Sequence, residues 1–186
     1  MDPRFRLRSV QRIWDAGEHN AFPELVHYGG HWICAFREAS KHMSFDGVVR
    51  ILVSEDGESW SHAATLTHPE GDLREVRASV APDGRLLFHG CLNLAESKRY
   101  QSMVWSSSDG VQWSEPQPIG EPQFWNWRVR WQGETAYSVA YHTWTEDGEE
   151  RLQGAQLMRS ANGVDWKTWV PELLTEYGPN EADLAF

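Results

Sequence analysis

An all-β fold made of repeated four-stranded units is predicted by two observations. A turn motif with the pattern Ser-x-Asp/Asn-Gly-x-x-Trp begins at Ser54, Ser107 and Ser160, so that successive copies are 53 residues apart. Short apolar runs separated by turn residues lie between the copies, as expected for antiparallel strands. A fixed period of this length indicates a repeat architecture, for which propeller blades are among the options.

Each copy of the motif reads as a tight turn between two strands. Asp-Gly and Asn-Gly are strong hairpin signals because both residues tolerate positive φ. The tryptophan that follows can fold under the turn, so we expect Trp60, Trp113 and Trp166 to be largely buried. The motif therefore predicts structure and no chemistry of its own.

The first unit is predicted to be an antiparallel meander of about the size of a blade. A short strand is expected at residues 9–14, followed by a polar connection at residues 18–21. Four strands then follow at residues 22–27, 31–36, 48–53 and 60–66.

The second and third units repeat this plan. Strands are expected at residues 76–80, 85–90 and 100–106, and again at residues 127–131, 135–141 and 153–159. The connection at residues 142–151 is long and acidic, and residues 179–184 match the opening of a fourth unit. The predicted units are residues 18–70, 71–121 and 122–175, with the start of a fourth at residues 176–186.

Three units are fewer than a closed propeller uses, since an open ring leaves blade faces unpaired. We therefore expect a partial β-propeller, with about three blades present of six. A dimer of half-rings is the alternative. It fits less well, because an outer strand at one end and an inner strand at the other would lack the middle strands of a blade.

Composition limits the partners. The 27 acidic residues outnumber the 17 lysines and arginines, giving a net charge of −10, which argues against nucleic acid and anionic membranes. Cys34 and Cys91 form no disulfide framework or metal motif, and no cofactor is expected. No membrane-spanning run or signal peptide is recognised, so the expected compartment is the cytoplasm by default.

The meander topology predicts where a site lies. Connections between the second and third strands, and between units, meet at one end of the ring, opposite the repeated turns. These connections are also the polar, aromatic and histidine-rich ones, and loops on a rigid scaffold commonly carry binding residues. The predicted connections are residues 18–21, 37–46, 72–75, 92–98, 124–128, 142–149 and 180–181.

Asp46 is the candidate proton donor to a glycosidic oxygen, with His42 or Glu38 assisting. A plain Asp-Gly turn residue is the alternative for Asp46. The candidate substrate-binding residues are Arg37, His19, Asn20, Arg74, Trp125, Arg128, Asn180 and Glu181. Structural ion pairs are the alternative role of Arg74 and Arg128, and packing between blades is the alternative for Trp125.

The repeated turn resembles the Asp-box, or BNR repeat, of sialidases. The chain also resembles bacterial exo-α-sialidase-like proteins across nearly its whole length. The segments that carry this resemblance are His19-Asn20-Ala21-Phe22, Phe36-Arg37-Glu38, Asp72-Leu73-Arg74, Phe124-Trp125-Asn126-Trp127-Arg128 and Pro179-Asn180-Glu181.

The resemblance implies a six-bladed glycoside hydrolase in which Arg37 matches a family arginine and Asp46 falls where the general acid arises. It also implies a departure, since Ala21 stands where the family has its first carboxylate-binding arginine. The family's nucleophilic tyrosine comes from later blades.

The expected function is that of a sialidase-like, exo-acting glycoside hydrolase whose sugar need not be sialic acid. A non-catalytic carbohydrate- or partner-binding propeller is the first alternative, and an inactive truncated product is the second. The 186 residues alone are expected to be inactive. A carbohydrate ligand is expected, together with self-association through open propeller edges.

Overall fold

The computed structural model describes residues 6–97, 99–144, 150–176 and 178–186. These residues form three four-stranded antiparallel sheets and contain no helix, which confirms the predicted all-β class. Each sheet is a meander in which consecutive strands are neighbours, and the three sheets are arranged as the blades of a partial β-propeller.

Most strands are longer than the sequence pattern suggested. Blade 1 contains β1 (His19–Tyr28), β2 (His31–Ala39), β3 (Val48–Ser54) and β4 (Ser61–Leu66). Blade 2 contains β5 (Gly71–Val80), β6 (Leu86–Leu94), β7 (Tyr100–Ser107) and the short β8 (Gln117–Pro118). Blade 3 contains β9 (Phe124–Gln132), β10 (Thr135–Trp144), β11 (Glu150–Ser160) and β12 (Trp166–Leu174).

Several predicted boundaries were wrong. Residues 9–14 are not a strand, because this segment pairs with no neighbouring strand and instead lies against blade 1 through Ile13 and Trp14. Residues 37–39, 72–75 and 124–128 belong to strands, so the expected connections there are strand ends. Residues 179–184 also lie outside any strand, and residues 145–149 of the acidic connection lie outside the described part of the chain.

The repeated turns share one hydrogen-bond pattern. In the first copy, Ser54 Oγ accepts from the Gly57 amide at 2.8 Å, and Asp56 Oδ1 accepts from the next two amides at 2.8 and 2.7 Å. These bonds lower the pKa of the Asp56 carboxyl, because they favour its ionised form. The copies that begin at Ser107 and Ser160 repeat the pattern, with Asn162 Oδ1 as the acceptor in the third.

The tryptophans of these turns are half-buried, not largely buried as expected. Trp60 and Trp166 each donate through Nε1 to the carbonyl of the turn glycine, at 3.1 and 3.0 Å. Trp113 instead stacks on Phe88 with ring centroids 4.2 Å apart. The rings of Trp60 and Trp166 therefore lie against their own turns, and all three rings leave part of their surface in solvent.

Each repeated turn of blades 2 and 3 packs on the preceding blade. A Cβ placed on Gly110 would lie 2.3 Å from Ile33 of blade 1, and one on Gly163 would lie 2.5 Å from Leu87 of blade 2. Both glycines also have positive φ, 78° and 74° respectively. Glycine satisfies the backbone angle and the close approach together, so both turns can pack directly on the neighbouring blade.

The first strands of the three blades lie side by side near the propeller axis, since β5 contacts both β1 and β9. The space between blades 1 and 2 is filled by apolar side chains of both sheets, including Ile51, Phe88 and Trp105. A second cluster, with Leu87, Val104 and the ring of Trp131, fills the space between blades 2 and 3. This packing holds the inner strands in fixed register.

The two outward blade faces are partly covered by the ends of the described chain. Ile13 and Trp14 pack on Cys34, Phe36 and Leu52 of blade 1. On blade 3, Ala182 and Leu184 pack on an aromatic cluster, and Phe186 lies against Tyr137 at 5.4 Å. Large exposed apolar side chains remain on the surface at Leu25, Trp169, Leu174 and Phe186. Self-association through these faces stays a prediction.

Candidate functional site at the propeller axis

The inner strands carry equivalent β-bulges at the end of the axis that the sequence predicted for a site. In each bulge, two residues of the inner strand lie opposite one residue of the second strand of the blade. A bulge of this kind changes the direction in which the side chains point. The paired positions are Phe22-Pro23, Arg74-Glu75 and Trp127-Arg128, opposite Phe36, Cys91 and Val139.

The 53-residue period extends through these bulges. The equivalent four-residue segments are Ala21–Glu24, Arg74–Arg77, Trp127–Arg130 and Asn180–Asp183. Phe22 and Glu181 occupy the same repeat position, and both have left-handed backbone, with φ of 57° and 46°. Residues 180–183 therefore occupy the repeat position of an inner strand of a further blade, although they do not form a strand.

Four charged residues, which we call the axial cluster, join these segments: Glu24, Arg77, Arg128 and Asp183. Arg128 donates to both oxygens of Glu24 at 3.2 Å, although the two residues belong to blades 1 and 3. Arg77 of blade 2 lies 3.7 Å from the same carboxylate. Asp183 lies 3.8 Å from Arg128 and accepts from Arg130, whose hydrogen bonds hold the pKa of Asp183 below its usual range. Contacts across two blades show that these side chains converge on the axis.

Aromatic side chains line the blade 3 side of the axial cluster. The guanidinium of Arg77 lies over the ring of Trp127, 4.8 Å from its centroid. Trp125 packs against Tyr100, Trp127 and Tyr141 at 5.1 to 5.9 Å and is only 8% exposed. This environment is that of a packing residue between blades, and sugar stacking by Trp125 stays a prediction.

Arg37 and Arg74 are brought together by Asp72, which was expected only as a possible ion-pair partner of Arg74 and not as a catalytic or substrate-binding residue. Arg37 donates through Nε and Nη2 to Asp72 Oδ1, at 3.0 and 2.8 Å, and none of the three atoms is in solvent. Arg74 donates to Asp72 Oδ2 at 3.2 Å and to the carbonyl of His42 at 2.9 Å. Arg37 also donates to Lys41 O and to Ser44, so most of its donors are already used.

Asp46 lies at the exposed end of the connection between β2 and β3. Its carboxylate accepts from the backbone amide of Ser40 at 3.2 Å, and hydrogen bonds from Ser44 and Ser40 lower its pKa. A general acid needs the opposite shift, so these contacts favour a turn-stabilising role. Catalysis by Asp46 stays a prediction.

His19 and His42 form a small aromatic rim with Phe22. The His42 ring lies 5.7 Å from that of His19 and 5.6 Å from that of Phe22. Arg74 lies beneath, 5.7 Å from the Phe22 centroid. His42 is exposed, and this rim joins the predicted residues His19 and His42 to the axis.

Glu38 points away from the axis, towards the outward face of blade 1. It accepts hydrogen bonds from Trp14 and Arg50. Partial burial raises its pKa, but the bonds and the charge of Arg50 outweigh this effect, and the net pKa lies below the usual value. The structure therefore does not bring Glu38 together with His42.

The remaining predicted residues lie on the surface at the same end of the axis. Asn20 is exposed and donates to the Gly17 carbonyl at 2.8 Å, and Asn180 and Glu181 are both exposed. Sequence reasoning missed Glu24, Arg77 and Asp183 as parts of one cluster. The repeat could have revealed these residues as one set, because Glu24, Arg77 and Asp183 occupy the same position of the 53-residue period.

The described part of the chain offers neither a metal-binding cluster nor a membrane-spanning helix. Among those residues, no group of three or more histidine, cysteine, aspartate or glutamate side chains is placed to hold a metal ion. No helix there has the length and apolar character that a membrane span requires.

Comparison with known proteins gives similarity at the level of fold. No protein-family model matches the sequence, and no curated protein matches it. A protein of unknown function from Dyadobacter fermentans superposes with a TM-score of 0.66 at 20% identity, over 81% of this chain and 54% of that one.

Two glycoside hydrolases superpose comparably. An α-L-arabinofuranosidase of Fusarium graminearum gives a TM-score of 0.64 at 14% identity, over 80% of this chain and 47% of that one. An α-L-arabinanase of Penicillium chrysogenum, in complex with arabinobiose, gives 0.62 at 15% identity, over 86% and 50%.

This chain therefore spans about half the length of the solved structures that it matches. The likeness confirms the propeller fold. None of the structures named here is described as a sialidase, so the comparisons support the resemblance to that family only at the level of the propeller fold.

Proposed function

We propose that this chain carries the sugar-binding surface of a carbohydrate-active propeller, at the end of the axis formed by the bulged inner strands. The observation that carries the proposal is that the bulges of the inner strands hold both the axial cluster, through Arg128, and the rim of His19, Phe22 and His42, through Phe22. Sugar sites combine charged and polar hydrogen-bonding groups with rings on a rigid scaffold. The fold neighbours, which include an arabinanase in complex with arabinobiose, support a carbohydrate ligand.

A neutral sugar suits this surface better than one with a carboxylate. Arg37 and Arg74 share Asp72, and Arg128 is held by Glu24 on both of its terminal nitrogens. Ala21 stands where the sialidase resemblance would require an arginine. A sugar with a carboxylate would have to compete with these ion pairs. Sugar hydroxyl groups can instead form hydrogen bonds with the polar atoms that the ion pairs leave free.

The proposed reaction class is hydrolysis. The more specific form of this proposal is a sialidase-like enzyme that removes sugars from the end of a chain. Glycoside hydrolysis uses one carboxyl group as a proton donor and a second as base or nucleophile. The sequence-based candidates for this chemistry are Asp46, His42 and Glu38. The lowered pKa values of Asp46 and Glu38 favour ionised roles for both, so neither is the stronger candidate for the donor.

Binding without catalysis is the second candidate function. It is favoured by the chain's span of about half of each neighbouring hydrolase, since residues outside that span can be required for turnover. The two functions share one binding surface and differ only in whether the bound sugar is cleaved.

Isothermal titration calorimetry with arabinobiose, a xylo-oligosaccharide and sialyl-lactose tests the proposal. We expect binding of a neutral sugar and none of sialyl-lactose. Arg128→Met should weaken binding about tenfold, because a lost hydrogen bond to a charged group is worth about 1.5 kcal/mol. Arg85→Met is the matched control, since Arg85 forms a comparable ion pair with Asp83 at the opposite end of the axis.

Equal affinity of the wild-type chain and Arg128→Met would place the sugar elsewhere. Preferential binding of sialyl-lactose would show that the paired arginines do open to a carboxylate, and would overturn the proposed sugar class.

A further inference from the structure

Glu75 is a buried carboxyl group at the axial end of blade 2. It occupies the second position of the β5 bulge, and it shares its position in the 53-residue period with Phe22 of blade 1 and Arg128 of blade 3. Its residue surface is 4% exposed, and Oε2 has no hydrogen-bond partner among the described residues. Buried polar atoms are normally paired, so an unpaired carboxyl oxygen beside a proposed binding surface calls for a ligand.

The groups around Glu75 favour its neutral form. Burial is the largest effect and raises its pKa, and the nearby charge of Glu181 raises it further. Its own backbone amide and the charges of Arg74 and Arg77 act in the opposite direction without reversing the shift. The other titratable groups that face it are Cys91 on β6 and Tyr141 on β10, whose pKa values are both raised, so both are neutral near pH 7.

Glu181 supplies a second carboxyl group of different character. It is exposed, and it has left-handed backbone that a non-glycine residue adopts at a cost. Two carboxyl groups in contrasting environments, one buried and one in solvent, are the arrangement that separates proton donor from base. Asp46 does not fit the donor role, because it is exposed and accepts hydrogen bonds.

We propose that Glu75 donates a hydrogen bond, and in hydrolysis a proton, to the glycosidic oxygen of a sugar bound at the axis, with Glu181 as the partner that accepts a proton from water. This inference rests on the proposed function and identifies Glu75 as its proton donor. In the reaction, the Glu75 proton passes to the glycosidic oxygen as the anomeric C–O bond breaks, and the bonding electron pair stays on that oxygen. Water then bonds to the anomeric carbon and gives its proton to Glu181. The products are one alcohol and one free sugar, and proton return to Glu75 restores the starting state.

The first test needs no sugar. Carbon-13 NMR of the side-chain carboxyl groups, assigned with Glu75→Gln, reads the protonation of Glu75 directly. We expect its resonance to titrate at a higher pH than the resonances of ordinary glutamates. Ionisation at the ordinary pH would overturn the inference whatever the sugar results are.

The second test measures arabinobiose binding against pH. Wild-type affinity should fall as the pH rises through the pKa of Glu75, because the ionised carboxylate cannot donate. Glu75→Gln keeps a neutral donor of the same shape and should bind without this dependence, while Glu134→Gln, on the exposed turn after Gly133, should follow the wild type. Any hydrolysis of an aryl arabinofuranoside that the wild type shows should fall about 100-fold or more in Glu75→Gln.

The outcomes separate the two proposals. Binding with an unchanged pH profile in Glu75→Gln, or hydrolysis that survives in Glu75→Gln and is lost in Asp46→Asn, would overturn the role of Glu75 and leave the proposed function standing. Absence of binding to any of the tested sugars at any pH would overturn the proposed function and the donor role with it.

Discussion

Replacement of His89 by glutamine should remove a pH-dependent loss of stability that this protein otherwise shows in mild acid. His89 lies on β6, fully buried between blades 2 and 3. Its Nε2–H donates to the carbonyl of Gly163 at 2.8 Å, which ties blade 2 to the repeated turn of blade 3. Nδ1 has no partner among the described residues, so a proton added there would be buried without an acceptor.

The magnitude follows from the pKa. Burial lowers the pKa of His89 from 6.5 to about 4, since the charged ring is excluded from water. The unfolded chain therefore binds this proton more readily than the folded one, and stability is present above about pH 6.5 and is lost as the pH falls towards 4. The full difference corresponds to about 3 kcal/mol, of which about 2 kcal/mol is lost between about pH 7.5 and pH 5.

Urea unfolding followed by tryptophan fluorescence at several pH values measures this loss. The comparison is between the wild type and His89→Gln, whose amide can still donate to Gly163 but does not titrate. We expect the free energies of unfolding to differ by no more than about 1 kcal/mol at pH 7.5, and the variant to become relatively more stable by about 2 kcal/mol at pH 5. Parallel pH profiles for the two proteins would refute the reasoning, because they would show that His89 is not a buried neutral group.

Two further predictions concern stability. Asp72→Asn should destabilise the fold by about 3–5 kcal/mol, because it leaves Arg37 and Arg74 buried without a counter-charge. The control Asp83→Asn, in an exposed pair with Arg85, should cost less than about 1 kcal/mol in the same denaturation experiment. Gly110→Ala should be more destabilising than Gly57→Ala by about 1–3 kcal/mol in thermal unfolding. Both glycines have positive φ, but only the new Cβ at position 110 meets Ile33. Equal costs for the two substitutions would contradict the packing of the repeated turn on the neighbouring blade.

Local residue chemistry was enough to predict the repeated turns. The hydrogen bonds that Ser54 Oγ and Asp56 Oδ1 accept from the turn amides join residues at most three positions apart, so their geometry is encoded locally. The constant period of 53 residues then required equivalent units, and the units are the three blades. Strand ends were less predictable. Polar residues such as Arg37 and Asp72 read as loop residues in sequence, but they pair with each other inside the sheets.

The candidate site was predictable as a place and only partly as a set of residues. Meander topology placed the connections at one end of the axis, and His19, His42 and Arg128 do lie there. The same reasoning could not tell that Asp46 would cap its own turn, because the hydrogen bonds that lower its pKa come from the folded connection. Nor could it show that Glu75 would lose its contact with water, since that depends on the packing of blade 3 against blade 2.

The sequence by itself determined the all-β class, the repeat period and the end of the propeller on which polar residues gather, because each of these depends on neighbours along the chain. The tertiary structure decided the pairing of charges. Glu24 and Arg128 are 104 residues apart, and only the convergence of blades 1 and 3 on one axis brings them to 3.2 Å. Burial also belongs to the tertiary level, because the water around Glu75 and His89 is removed by neighbouring blades and not by residues near them in sequence.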